Sequence, residues 1–530
     1  MDRFLRPAFW ILILCLICLP GILFFNQFIQ LSNTPTPEFI QPNSIEQLTW
    51  ATQIGKRITK LRVQIPTVDR VVLVPDAATF LSAIEQWSLQ GRWPILIEDE
   101  YYTPIFLRRF HPAQVIRLST VAQPLPEGQT LRQQMLRATA KAWNSEPGEL
   151  LKKVWQRLGW RPPGVVVTWE SDSAWPAAVS LAADRGQPLV FLEGDFGSPN
   201  SSLSPAQWQS LQDNVQQVVE KTGYTYAELG DDIDTITIAR QMAVKYQPSE
   251  TAGDRLAITD GLARHPDGQR WAVVGWIYGS SVRALYQAMC SIFLTQKTAL
   301  LYDTYPRSDV WGLYAMNEAA RQLSDIDLDV QLIQRPQAGV SNWRQLTANG
   351  LNFDLIFVNS KGSSTSFNLG DGNASVQDVP TLNTPAAVHF IHSWSATAPD
   401  DRNTVGGRWL EHGTYAYVGS VNEPYLQAFV TPQLLAEHLR RLTPFLIAAR
   451  QVADQPWKIT TIGDPLMTLV EERTRVASEY EYDKIPSPAP TQRSAGATSG
   501  SCDELAQFFS SVSLPPMSPP DCQRILSGLC

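Results

Sequence analysis

The stretch VHFIHSWSATAPDD holds the residue best suited to proton transfer, His392, where an apolar run gives way to small and polar residues. An imidazole titrates near neutrality, so one emerging from a strand end, with Asp400 and Asp401 following, can act as a general base. It can equally be a histidine that hydrogen-bonds its loop. His389 lies deeper in the same run and reads as structural. About twenty-five residues on, YVGSVNEP offers a hydroxyl at Ser420 and a carboxylate at Glu423 at the end of a second apolar run. Ser420 with His392 would make a dyad, and the carboxylate of Glu423 is the alternative partner for His392. A serine is a weak acid and needs an oriented base and an oxyanion hole to react. Gly419, Trp394, Asp400 and, further on, Asp464 are the candidate binding residues around these ends.

Other chemistry is poorly represented. GDDID (Gly230–Asp234) gathers three carboxylates but lacks the spacing and terminal Glu of a calcium loop. His389 and His392, three apart on a strand, fall on opposite faces and chelate badly. There is no H-E-x-x-H, no phosphate-loop lysine motif and no dinucleotide fingerprint, so neither a metal nor a cofactor is expected. A net charge of -8 on 530 residues provides no basic footprint for nucleic acid.

The elements that must position His392 and Ser420 are strands alternating with helices. Candidate strands are Ala272–Tyr278, Thr298–Asp303, Asp329–Gln334, Asp354–Ser360, Ala386–Ser393 and Thr414–Ser420. Helices are expected over Ser281–Leu294, Trp311–Leu323, Asn342–Asn349 and Pro432–Val452. This rhythm predicts an α/β fold with predominantly parallel sheets covered by helices, in which ligands sit beyond the carboxyl ends of the strands. Asn368–Asp378 (NLGDGNASVQD) reads as a polar loop, either a lid or an exposed insertion.

Upstream lies a repeat. RVVLVPDAATFLSAIEQW, from Arg70, and GVVVTWESDSAWPAAVSL, from Gly164, match with an offset of 94 residues, and each ends in an apolar run after a Gly and a Pro. Each copy is a β-α-β unit. The organisation this predicts is a first unit over 60–150, a second over 151–255 and a third α/β domain over 256–475. The two copies resemble the cell-wall-binding repeats of bacterial surface proteins.

In the third domain, a strand ending in His392, a following strand, a long helix and the segment Gly463-Asp464-Pro465 with Leu469 resemble the gingipain-like, caspase-fold cysteine peptidases. Trp409, Gly413, Gly419-Ser420-Val421, Glu423-Pro424, Leu426, Pro456-Trp457 and Gly463-Asp464-Pro465-Leu466 also resemble a related uncharacterised family of secreted bacterial proteins. The resemblance implies a histidine at 392 and a nucleophilic cysteine at the end of the next strand. Gly419 and Ser420 stand there instead, and no cysteine lies within 75 residues. A thiol ionises far more readily than a hydroxyl, so the departure removes the family's nucleophile and implies a pseudo-peptidase.

The compartment is set by the first thirty residues. Arg3 and Arg6 precede an uncharged run of 18 residues from Ala8 to Phe25, long enough for a membrane span. No small-residue cleavage signal follows it, so residues 1–31 read as a tail and retained signal-anchor that leaves the bulk outside the cytoplasm. Residues 32–59 form a Pro-containing spacer. Residues 476–501 form a linker, with Pro, Ser, Ala and Gly dominant from 486, and 502–530 a small helical hairpin whose Cys502, Cys522 and Cys530 are disulfide candidates. The expected function is a membrane-anchored, extracytoplasmic binding or scaffold protein of the cell envelope. The alternatives are an active hydrolase using His392 and Ser420, and a surface protein that binds cell-wall polymer.

Overall fold

A computed structural model describes residues 49–451, 458–469 and 474–477. The expected signal-anchor and the three terminal cysteines lie outside these residues. Among the described residues, no helix is long and apolar enough to cross a membrane.

Both copies of the repeat fold as β-α-β units. In the first, β1 (Arg70–Val74) and β2 (Ile95–Ile97) are parallel, with β3 (Gln114–Arg117) on the other side of β1. Asp76 starts the intervening helix, Ala77–Ile84, by accepting the Thr79 N–H at 2.8 Å, which satisfies one of the helix's free donors. In the second, β4 (Gly164–Thr168) and β5 (Leu189–Phe191) flank helix Trp175–Arg185, and β6 (Thr235–Ala239) lies on the other side of β4. The helix stops at Gly186, whose φ of 61° suits glycine. Val72 faces Ile95 and Val166 faces Leu189, so the 94-residue offset holds in strand register. The copies differ in their surroundings. The first forms a sheet of three strands; the second belongs to a sheet of ten.

Apart from five two-residue strands in two small sheets, the other strands are β7 (Val273–Ile277), β8 (Thr298–Asp303), β9 (Asp329–Gln334), β10 (Leu355–Asn359), the short meander β11 (Gly362–Ser363), β12 (Ser366–Leu369) and β13 (Gly372–Ser375), then β14 (Ala386–Ile391), β15 (Thr414–Ser420) and β16 (Ile459–Ile462). The large sheet runs β9-β8-β10-β14-β15-β16-β7-β6-β4-β5. From β9 to β15 all neighbours are parallel; β16 is antiparallel to β15, with Ser420 opposite Ile459 and Tyr417 opposite Ile462. The other four strands are mutually parallel and meet β16 at the single pair Trp276–Ile462. One large core cluster spans the ten-stranded sheet, from Val165 and Ile236 to Tyr302, Val388, Tyr417 and Ile462. The fold is thus mixed α/β, with a large, mostly parallel sheet covered by helices.

Three expected elements take a different form. The helix over 432–452 breaks into Pro432–Arg440 and Phe445–Ala448, because Leu442 adopts a positive φ of 68° just before Pro444. The helix over 311–323 divides into a 3-10 turn, Asp309–Tyr314, and a helix, Asn317–Ser324. The polar stretch Asn368–Asp378, expected as a loop that is either a lid or an exposed insertion, is regular rather than looped: it contributes the β12–β13 hairpin, Leu369 facing Gly372 across a Gly370-Asp371 turn.

Candidate functional site

β14 and β15 are hydrogen-bonded parallel neighbours, so His392 and Ser420 leave the sheet side by side. Their side chains go different ways. The His392 ring is buried beneath the β11–β12 turn, with Nε2 2.8 Å from the Ser363 carbonyl. Its Cε1 lies 2.7 Å from where a Cβ on Gly362 would stand, so only glycine fits there. Nδ1 is buried without a hydrogen-bond partner. Burial pushes the imidazole down to about 4, outweighing the opposing pull of backbone hydrogen bonds at Ser363 and Ser366. At neutral pH this is a neutral ring holding a loop.

The Ser420 hydroxyl is fully buried and occupied. It accepts the Trp394 N–H at 2.9 Å and has the carbonyls of His392 and Asn422 as acceptors at 3.1 and 2.9 Å. Its own N–H donates to Ser395 Oγ at 3.2 Å. One hydroxyl therefore clasps the loops that leave both strands, and Trp394 is bent to a positive φ of 65° to reach it. The backbone carbonyl of His392, not its imidazole, is the partner of Ser420. Gly419 is required by packing, since a Cβ there would stand 2.4 Å from Ser395 Oγ and 2.6 Å from the Tyr417 ring.

The other sequence candidates are dispersed. Glu423 is half-buried and accepts the Tyr425 N–H at 3.1 Å. Asp400 pairs with Arg283 at 3.2 Å. Asp464 follows β16, which runs against β15, so it leaves the sheet at the edge away from Ser420. There it is buried with Arg185 at 3.0 Å and accepts the Ser291 hydroxyl at 2.6 Å. Arg185 also contacts Asp184, and Asp184 in turn pairs with Arg92 of the first repeat copy at 3.2 Å. This buried chain of charges ties the repeat to the end of the last sheet. The GDDID carboxylates are likewise spent locally, Asp232 on Arg161 and Thr225 and Asp231 on the Ala227 N–H. Burial raises Asp234 to about 7.

Cys290 is buried in helix Ser281–Phe293, and burial raises its thiol well above the ordinary value despite a hydrogen bond with Tyr286. A thiol so held is not a nucleophile.

Open space at this edge lies on neighbouring strands that the sequence did not single out. A cavity of about 310 Å³ is lined by residues just past β8 (Thr304, Tyr305), β9 (Arg335) and β10 (Lys361), with Trp311 and Asn368 completing the wall. The chain passes from β8 to β9 on one side of β8, then to β10 on the other. Crossovers that leave a strand in opposite directions part their loops and leave a crevice there. Lys361 follows the predicted strand closely enough to be noticed in sequence, but only the strand order places it opposite Arg335. No family model, curated protein or solved structure matches the chain.

Proposed function

We propose that this is a membrane-anchored, extracytoplasmic protein of the cell envelope that binds or scaffolds through a gingipain-like domain without a catalytic nucleophile. Residues 60–150 and 151–255 are two half-domains of common design, a reading supported by their shared register. The six large-sheet strands β9-β8-β10-β14-β15-β16, with the histidine-bearing strand beside the one that would carry a cysteine, favour a caspase-like arrangement for the last domain.

One observation carries the non-catalytic reading. The imidazole of His392 is spent on Ser363 and the hydroxyl of Ser420 on backbone groups, so base and hydroxyl are not hydrogen-bonded to each other. A dyad requires that contact, directly or through one water. The test is turnover of a peptide library by the full-length chain, compared with His392→Ala and Ser420→Ala. No turnover that depends on either residue is expected. Hydrolysis lost in His392→Ala would establish a peptidase instead.

A further inference from the structure

We propose that the crevice beyond β9, β8 and β10 binds a small oxyanion, a carboxylate or phosphate, carried on a flat apolar group. The proposal rests on the binding reading above and names its ligand class.

The charge comes from two strand ends. Arg335 directly follows β9 and makes a single hydrogen bond, to the Gly370 carbonyl at 2.8 Å. The rest of its planar fork is left for the ligand, and that fork matches the paired oxygens of a carboxylate or phosphate. Lys361, two residues past β10, is exposed, with its ammonium 6.0 Å from the centre of the Trp311 ring. Neither cation forms an ion pair among the described residues. No carboxylate lines the cavity. The carboxylates on adjoining segments are engaged elsewhere, Asp303 with Arg307, Asn359 and the Met316 N–H, and Asp371 with the Val340 N–H. Two uncompensated positive charges converging on one recess concentrate anions there.

The apolar part of the ligand is read from the wall. Tyr305 and Trp311 meet edge to face, ring centres 4.7 Å apart, and Trp311 remains half-buried and open to contact. A cation beside an aromatic face suits a ligand that joins an anion to a flat group. The recess is held in shape before any ligand arrives. Asn359 Oδ1 accepts the Thr304 and Tyr305 N–H groups at 2.6 and 3.2 Å, and its amide donates to Asp303 and to the Tyr314 carbonyl. The Asn368 N–H donates to the Lys361 carbonyl at 2.8 Å and fixes the rim. A site built in advance loses little ordering entropy on binding, and its volume suits a ligand of amino-acid to dipeptide size.

The experiment is calorimetric titration of the full-length chain, in nonionic detergent, with phenyl phosphate, phthalate and neutral benzamide. Saturable binding of one or both anions is expected, with none for benzamide. Binding should weaken about tenfold or more in Lys361→Gln or Arg335→Gln and be retained in Lys361→Arg. Phenyl phosphate binding alone would identify phosphate as the natural oxyanion, phthalate alone a carboxylate. The proposal is overturned if neither anion binds, if benzamide binds as tightly, or if the double Gln variant, its urea midpoint unchanged, binds as before. Failure of every probe removes the ligand assignment alone; hydrolysis lost in His392→Ala removes the non-catalytic reading alone.

Discussion

The edge of the large sheet holds two neighbouring regions with opposite characters. At β14 and β15 the residues have the right types for catalysis, and the space is closed: His392 and Ser420 are buried and every loop is clasped. At β9, β8 and β10 no residue type suggests catalysis, and the space is open, with two cations facing it. Chain path accounts for the difference. β10, β14 and β15 follow one another in the same direction across the sheet, so their loops stack and fill the edge. β8 is flanked by strands reached from opposite sides, so its loops separate. Residue identity proposes a site, but the order of the strands decides where a ligand can enter.

The comparison predicts that changes in the closed region alter stability, while changes in the open one do not. Asp464→Ala should have the largest effect, since it strips a carboxylate from a fully buried cluster and leaves Arg185 under-compensated. Removing one partner of such a pair costs about 3–5 kcal/mol, readable as a lower urea midpoint. A loss below about 1 kcal/mol would mean that the cluster is hydrated and that Asp464 is free for binding after all. Acid should act next. His392 is held at about 4 and, by burial alone, His389 at about 3, against an ordinary 6.5. The unfolded chain therefore takes up protons first, so stability is full above pH 6.5 and falls as pH drops toward 4. For His392 alone the loss at pH 4 is about 3 kcal/mol. His392→Gln should flatten this part of the stability curve; an unchanged slope would show that the ring is solvated.

Much of the fold was legible in the sequence. β8, β9 and β15 match their expected boundaries, because short apolar or alternating runs closed by polar residues admit few other readings. The 94-residue repeat survives as strand register, since an offset shared by both apolar runs of each copy fixes which residues pair, although the glycines slip by one place. What failed to show was direction and cover. Nothing in KITTIGDPL marks β16 as antiparallel, yet that reversal carries Asp464 away from Ser420. Asn368–Asp378 looked like a polar loop because its hairpin has only one apolar face, Phe367, Leu369 and Ala374. The Gly370-Asp371 pair was the available signal. The same meander buries His392, whose position at a strand end does not by itself distinguish an open ring from a covered one. Lys361 and Arg335 carry no motif at all; their meaning arises from convergence.

Ser420→Ala sharpens the comparison at an intermediate scale. The methyl keeps most of the volume but leaves the buried His392 carbonyl without its hydroxyl donor, while the Trp394 N–H and the Asn422 carbonyl keep only each other at 3.3 Å. An unsatisfied buried group costs about 1–3 kcal/mol, so the urea midpoint should fall by that amount with no change in anion binding. A variant as stable as the parent would show that the hydroxyl is not a clasp, and would reopen its use as a nucleophile.

The smallest effect on stability should come from the open region. Lys361→Gln and Arg335→Gln remove charges from exposed side chains, one of which makes a single hydrogen bond and the other none to a side chain. Surface changes of this kind usually stay within about 0.5 kcal/mol. Removing the repulsion between two like charges offsets the lost bond to Gly370, so the double variant should unfold where the parent does. Its value lies in that silence. The Arg185 cluster shows how this fold treats charges that hold it together: buried, paired and shared among several partners. Arg335 and Lys361 have none of those marks, and if their removal were to cost as much as Asp464→Ala, the crevice would be part of the frame, and the contrast between the two regions would vanish.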